Sequence, residues 1–181
     1  MKRFVPRSLA SFALLLAATA GLEAQIAPAN LSDPEVAHVA VTANSIDIEL
    51  ARVAQSRADK GEVRAFARTM ITDHSAVNAR ASALASKLGV TPADNAVSQS
   101  LLAGAATARA SLEKLEGKAF DRGYIDREVA YHQAVLDAID GLLIPTTENA
   151  ELKQLLTEVR PAIAAHLAHA KQLRGSLPAA Q

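Results

Sequence analysis

The chain has no cysteine and no tryptophan, and only 3% of its residues are aromatic. Without cysteine it has no disulfide, no thiolate metal knuckle, no thiol nucleophile and no lipid-bearing cysteine of the bacterial lipoprotein kind. It also lacks an excess of either charge, since Lys plus Arg and Asp plus Glu both total 19. A nucleic-acid binder needs a basic footprint, so no nucleic-acid partner is expected. A phosphate-cradling glycine loop, a Gly-x-Ser-x-Gly elbow and a fixed-period repeat are all missing, so nucleotide and serine-hydrolase chemistry lose their usual signatures. What remains is a chain of 181 residues, half of them apolar, with alanine and leucine carrying most of that content. This length suits one domain, and the composition suits closely packed helices better than sheets. The expected fold class is all-α.

Lys2, Arg3 and Arg7 precede an apolar stretch from Ser8 to Leu22, about 15 residues long, which is the layout of a secretory signal peptide. A membrane span needs about 20 apolar residues, so cleavage is favoured over anchoring. Residues 1–24 are read as the signal peptide, with small Ala24 at the cut, and residues 25–32 as a linker. Removing the signal leaves 16 basic against 18 acidic residues, a mildly acidic mature chain that needs no membrane span. The expected location is exported, either periplasmic or secreted.

The bundle is expected over residues 33–175, with 176–181 as a tail. Ser32-Asp33-Pro34-Glu35 sets a polar cap, a proline in the first turn and an acid beside it. Val36, Val39, Ala43, Ile46, Leu50 and Val53 then form one stripe up to Gly61. The short turn at Asp59-Lys60-Gly61 makes the second helix antiparallel to the first. Val63, Ala67, Met70, His74, Val77, Ala81, Leu84 and Leu88 give that helix its pattern, and Gly89 and Pro92 end it. A weaker, alanine-rich segment over 95–116 predicts a helical crossover, followed by a break at Gly117. The third main helix carries Phe120, Tyr124, Ile125, Val129, His132, Leu136 and Ile139, and closes at Gly141 and Pro145. The fourth carries Leu152, Leu155, Val159, Ile163, His166, Ala170 and Leu173, with Pro161 expected to bend it. Together these segments predict an up-down four-helix bundle with a helical crossover between its second and third main helices.

Three of the five histidines, His74, His132 and His166, fall in the core stripe of a different helix. Bundles build metal sites from imidazoles and carboxylates on facing helices, so Glu49, His74, Glu128, His132 and His166 are the candidate metal ligands. Counting from Lys60, Glu49 lies 11 residues before and His74 14 after, which places them within about 5 Å of one level. Counting from Thr147, His132 and His166 differ by about 6 Å, while Glu128 is level with His166. Whether the two hairpins share a level depends on the crossover. The competing reading of each histidine is a buried neutral imidazole bonded to a carboxylate or a freed carbonyl, setting register without a ligand. Asp73 points about 100° away from His74, toward a cap, an arginine or a neighbouring helix. His38 reads as surface, and His166 with His169 forms a second pair at i, i+3.

Met70-Ile71-Thr72-Asp73-His74, the run Gly117-Lys118-Ala119-Phe120-Asp121-Arg122-Gly123-Tyr124 leading to His132, and His166-Leu167 resemble the bacterial exported family catalogued as domain of unknown function 4142. That resemblance spans roughly Pro34 to Arg174. It implies a ferritin-like bundle and an envelope location, and it carries no established activity. Ferritin-like di-iron proteins add a Glu-x-x-His pair on each of two helices. Here the sole Glu-x-x-His is Glu35 with His38, and Glu128 precedes His132 by four residues. Di-iron oxidase or storage chemistry is therefore disfavoured, and no catalytic residue is assigned.

Three functional readings follow. The first is an exported module holding a transition-metal ion through core His and Glu residues. The second is a metal-free structural or interaction module that meets an envelope protein or its own copy. The third is a ferritin-like redox enzyme, disfavoured by the missing motif.

Overall fold

The structure is a computed structural model that describes residues 30–178, all helix and connecting turns among the described residues. The signal peptide and most of the linker lie outside them. The elements are α1 (Asp33–Arg57), α2 (Gly61–Leu88), α3 (Ala96–Leu112), α4 (Gly117–Ala138), α5 (Ile144–Thr146) and α6 (Ala150–Ser176). A π turn, Ile139–Leu143, carries α4 into α5. The expected all-α class with four main helices and a helical crossover is what the chain forms. None of the described helices is long and apolar enough to cross a membrane.

Local sequence accounts for the helix ends. The Glu35 carboxylate accepts from both the backbone N–H and the hydroxyl of Ser32, at 2.9 and 2.7 Å. Gly89 ends α2 at φ 64, and the N–H of Val90 reaches back to the carbonyl of Ala85 at 2.9 Å, a closure that favours glycine. Asn95 caps α3 by accepting from the N–H groups of Val97 and Ser98, and Asn149 caps α6 by accepting from those of Glu151 and Leu152.

Long-range polar contacts at the two ends set the helix directions. At one end, the Asp33 carboxylate accepts from the N–H groups of Glu148 and Asn149, each at 2.9 Å, so α1 and α6 start together. The N–H of Ala93 donates to the Pro34 carbonyl at 3.0 Å, which puts the start of α3 there too. At the other end, Arg57 donates to the Leu115 carbonyl at 2.7 Å, and Asp121 accepts from the N–H groups of Asp59 and Lys60 at 2.9 and 2.8 Å. Hence α1, α3 and α6 run one way, and α2 and α4 the other. The crossover α3 packs on α1 and α4, and it makes the second and third main helices parallel.

The core lies between the four long helices. Near the α1–α2 turn it is tight: Val63, Phe66, Ala67, Phe120 and Tyr124 have no exposure, and Ala51, Ala54 and Ala170 let the helices approach closely. Toward the other end, Val77, Ala81, Leu84 and Leu88 continue the α2 stripe but are only half-buried. They line an apolar cavity of about 90 Å³ with Val135, Ile139 and residues of α1 and α6.

Asp121 closes the tight end, being 1% exposed and holding the N–H groups of Asp59 and Lys60 in the turn before α2. Asp121→Ala is expected to cost about 2–3 kcal/mol, read as a lowered urea midpoint with unchanged slope.

Candidate metal centre in the bundle core

His74, His132 and His166 converge midway along the bundle. Their ring centroids are 5.6 Å apart for His74–His132, 5.3 Å for His74–His166 and 5.5 Å for His132–His166. One nitrogen of each lies within 4.8 Å of the others. The rings come from α2, α4 and α6, so the crossover does bring the two hairpins to one level. His132 and His166, expected within about 6 Å of one level, have ring centroids 5.5 Å apart.

The fourth component is Asp47, on α1, a residue with no solvent exposure. Its Oδ2 is 2.8 Å from His74 Nε2 and 3.7 Å from His132 Nε2, and its Oδ1 accepts from Arg127 Nη1 at 3.2 Å. Glu49, the carboxylate expected from α1, is exposed and outside the cluster. Two residues turn a helix by about 200°, so Glu49 and Asp47 face nearly opposite ways. Asp47 carried two signals that sequence reading passed over. It continues the Ala43, Leu50, Ala54 spacing, and it lies 13 residues before Lys60 while His74 lies 14 after.

Glu128 is also fully buried, but its Oε1 accepts from Arg127 Nη1 at 2.5 Å. Its Oε2 is 3.4 Å from His132 Nδ1. Asp47, Glu128 and His132 form a second set of closely spaced donors that shares two residues with the first site. Arg127 is held by its flat contact with the Tyr131 ring, 4.0 Å to the centroid, and the Tyr131 hydroxyl donates to the Ala43 carbonyl at 2.8 Å.

The hydrogen bonds fix which nitrogen of each ring carries the proton. Asn44 donates from Nδ2 to the Ala40 carbonyl, so its Oδ1 accepts from His74 Nδ1 at 2.6 Å. His132 Nδ1 donates to the Glu128 carbonyl at 3.0 Å. His166 Nε2 donates to Asp73 Oδ2 at 2.9 Å, so Asp73 serves a neighbouring helix as one of its expected roles. The remaining atoms, Nε2 of His74, Nε2 of His132, Nδ1 of His166, Asp47 Oδ2 and Glu128 Oε2, are buried without a hydrogen-bond partner. Because His74 Nδ1 holds the proton, a lone pair on Nε2 faces a carboxylate oxygen at 2.8 Å. Two acceptors at that distance repel unless a proton or a metal ion joins them.

Burial pushes His132 down to about 4, against the pull of Asp47, and it lowers His166 as well. Both rings are therefore neutral at pH 7 and able to ligate. Burial alone would raise Asp47, but His74, His132 and Arg127 outweigh it and hold the carboxyl well below the usual range. Glu128 is raised, first by burial and then by Asp47, with Arg127 opposing.

The other polar candidates sit elsewhere. His169 is exposed and meets the Phe66 ring edge-on, so the His166–His169 pair does not form a site. His38 lies at the bundle rim, 3.8 Å from Asp94. Tyr124 is buried one turn before Glu128, with its hydroxyl unpartnered and its pKa raised by burial.

Comparison with known proteins agrees with the fold. The family model for the domain of unknown function DUF4142 matches residues 18–173. The chain belongs to this family. No curated protein matches the DUF4142 chain. Among solved structures it is similar to CopM in the Cu(II)-bound form, with a TM-score of 0.61 and 16% identity over 81% of this chain and 97% of that one. Identity that low extends to the helical fold and no further.

Asp47 is the carboxyl held low beside Arg127, so removing it leaves the buried guanidinium with Glu128 alone. Asp47→Ala is expected to destabilise the metal-free protein by about 3–5 kcal/mol, measured by urea unfolding in the presence of a chelator.

Proposed function

We propose that this chain is an exported bundle that holds one transition-metal ion in its core, with His74, His132, His166 and Asp47 as ligands. The observation that carries this reading is the tautomer pattern. Each of the three imidazoles commits one nitrogen to a fixed acceptor, Asn44, the Glu128 carbonyl or Asp73, and turns an unpartnered nitrogen on the others. Metal-bound histidines are oriented in this way by partners outside the coordination shell. Three imidazoles and one carboxylate suit zinc(II) or copper(II). CopM, similar in fold, is known in a Cu(II)-bound form, which makes copper(II) the first ion to test. Three mutually close imidazoles with the Asp47 carboxylate beside two of them make a donor set suited to holding an ion. The basic and apolar N-terminal segment supports delivery across a membrane before the ion is met.

A second reading has its own observation. The 2.8 Å contact of His74 with Asp47 also fits a protonated imidazole paired with a carboxylate, a polar lock that sets register with no metal. On the metal reading, saturating copper(II) or zinc(II) raises Tm by roughly 5 to 10 °C. His132→Ala abolishes that shift and His169→Ala preserves it. Asn44→Ala, which frees the His74 ring, weakens binding by about 10- to 100-fold in competition against a chelator. If Tm is the same with either ion and with chelator, while His74→Leu lowers it by leaving Asp47 without its nearest partner, the polar lock is the correct reading.

A further inference from the structure

The core contains a second group of donors that the four-ligand site leaves partly unused. Asp47 and Glu128 point their outer oxygens, Oδ1 and Oε1, at a common position, and the inner oxygens Oδ2 and Oε2 remain without partners. Two carboxylates arranged in this way commonly bridge paired ions about 3.5–4 Å apart. Here Nη1 of Arg127 takes that position, 3.2 Å from Asp47 Oδ1 and 2.5 Å from Glu128 Oε1. We infer that Arg127 is a built-in cation: its guanidinium stands where a second metal ion would bridge Asp47 and Glu128, and so restricts the core to one ion. This inference rests on the metal reading of the first site.

Several features make the guanidinium hard to displace. A guanidinium stays charged at any physiological pH. The Tyr131 ring covers it at 4.0 Å, and the ring is anchored to α1 through the Ala43 carbonyl. Arg127 and Tyr131 also line the groove of about 710 Å³ between α3 and α4, so a cation entering there meets a positive charge first. The Asp47 carboxyl, held well below the usual carboxylate range, already faces this one fixed cation, so the pair leaves little net charge to draw in a second ion. With Arg127 removed, oxygen donors from two carboxylates would open to a second divalent ion.

The test uses the exported chain without a histidine tag, loaded with copper(II) and followed by native mass spectrometry and electron paramagnetic resonance. The natural chain takes one core ion with a full signal. Arg127→Met, refolded with copper(II) present, takes two ions, and its signal per ion collapses because bridged spins couple. Arg127→Lys, which keeps a cation, stays at one ion. The inference is overturned by a single ion with full signal in Arg127→Met, by two coupled ions in the natural chain or in Arg127→Lys, or by failure of Arg127→Met to fold even with copper(II), since the second ion should replace the lost charge. A natural chain with no core ion would instead overturn the metal reading itself.

Discussion

The middle of this bundle is organised around Asp47, a carboxylate with no exposure in a core made mostly of alanine, leucine and valine. An ion in such surroundings loses several kcal/mol of hydration, roughly, unless charged or hydrogen-bonding partners surround it. Those partners come from other helices: His74 from α2, and Arg127 and His132 from α4. His166 of α6 closes the ring against the other two imidazoles. Satisfying one carboxylate thus ties α1, α2 and α4 to a common level, and the packing of His166 on the other two rings brings α6 to it. A slip of α2 or α4 by one turn past α1, about 5.4 Å, would strand the charge.

The ends of the bundle support that register with the same chemistry in milder form. Asp33 and Asp121 each accept two backbone N–H groups from a neighbouring element, one at each end of the molecule. Between these staples the apolar packing is uneven. The half toward the α1–α2 turn is filled by Phe66, Phe120 and Tyr124, while the other half has no aromatic side chain around its cavity. The histidines sit where the two halves meet, with Asn44 belonging both to the cavity wall and to His74. The three imidazoles are therefore bordered by the close-packed half on one side and by the cavity on the other.

Much of the fold was legible in the sequence because it is locally encoded. Apolar residues at three- and four-residue steps, Gly89 after α2 and the Ser32 to Glu35 start all report on a single helix, and the structure follows them. The inward placement of His74, His132 and His166 was legible for the same reason, since each replaces an aliphatic residue in its own stripe. Asp47 and Glu49 alternate with Ile46, Ile48 and Leu50, so both border the apolar stripe and only the packing of α1 on α2 and α4 shows which of them is buried.

By itself, then, the sequence determined an all-helical chain, the ends of its helices and the inward facing of His74, His132 and His166. Only the tertiary structure decided that the three imidazoles meet, that Asp47 and not Glu49 joins them, and that Arg127 lies across two carboxylates. The physical reason is that periodicity records a side chain's angle about its own helix axis, while the distance between helices depends on how far α3 carries the chain before α4 begins. Residues 96–112 set that distance through packing on α1 and α4, and no pattern within them encodes the level at which His132 meets His74.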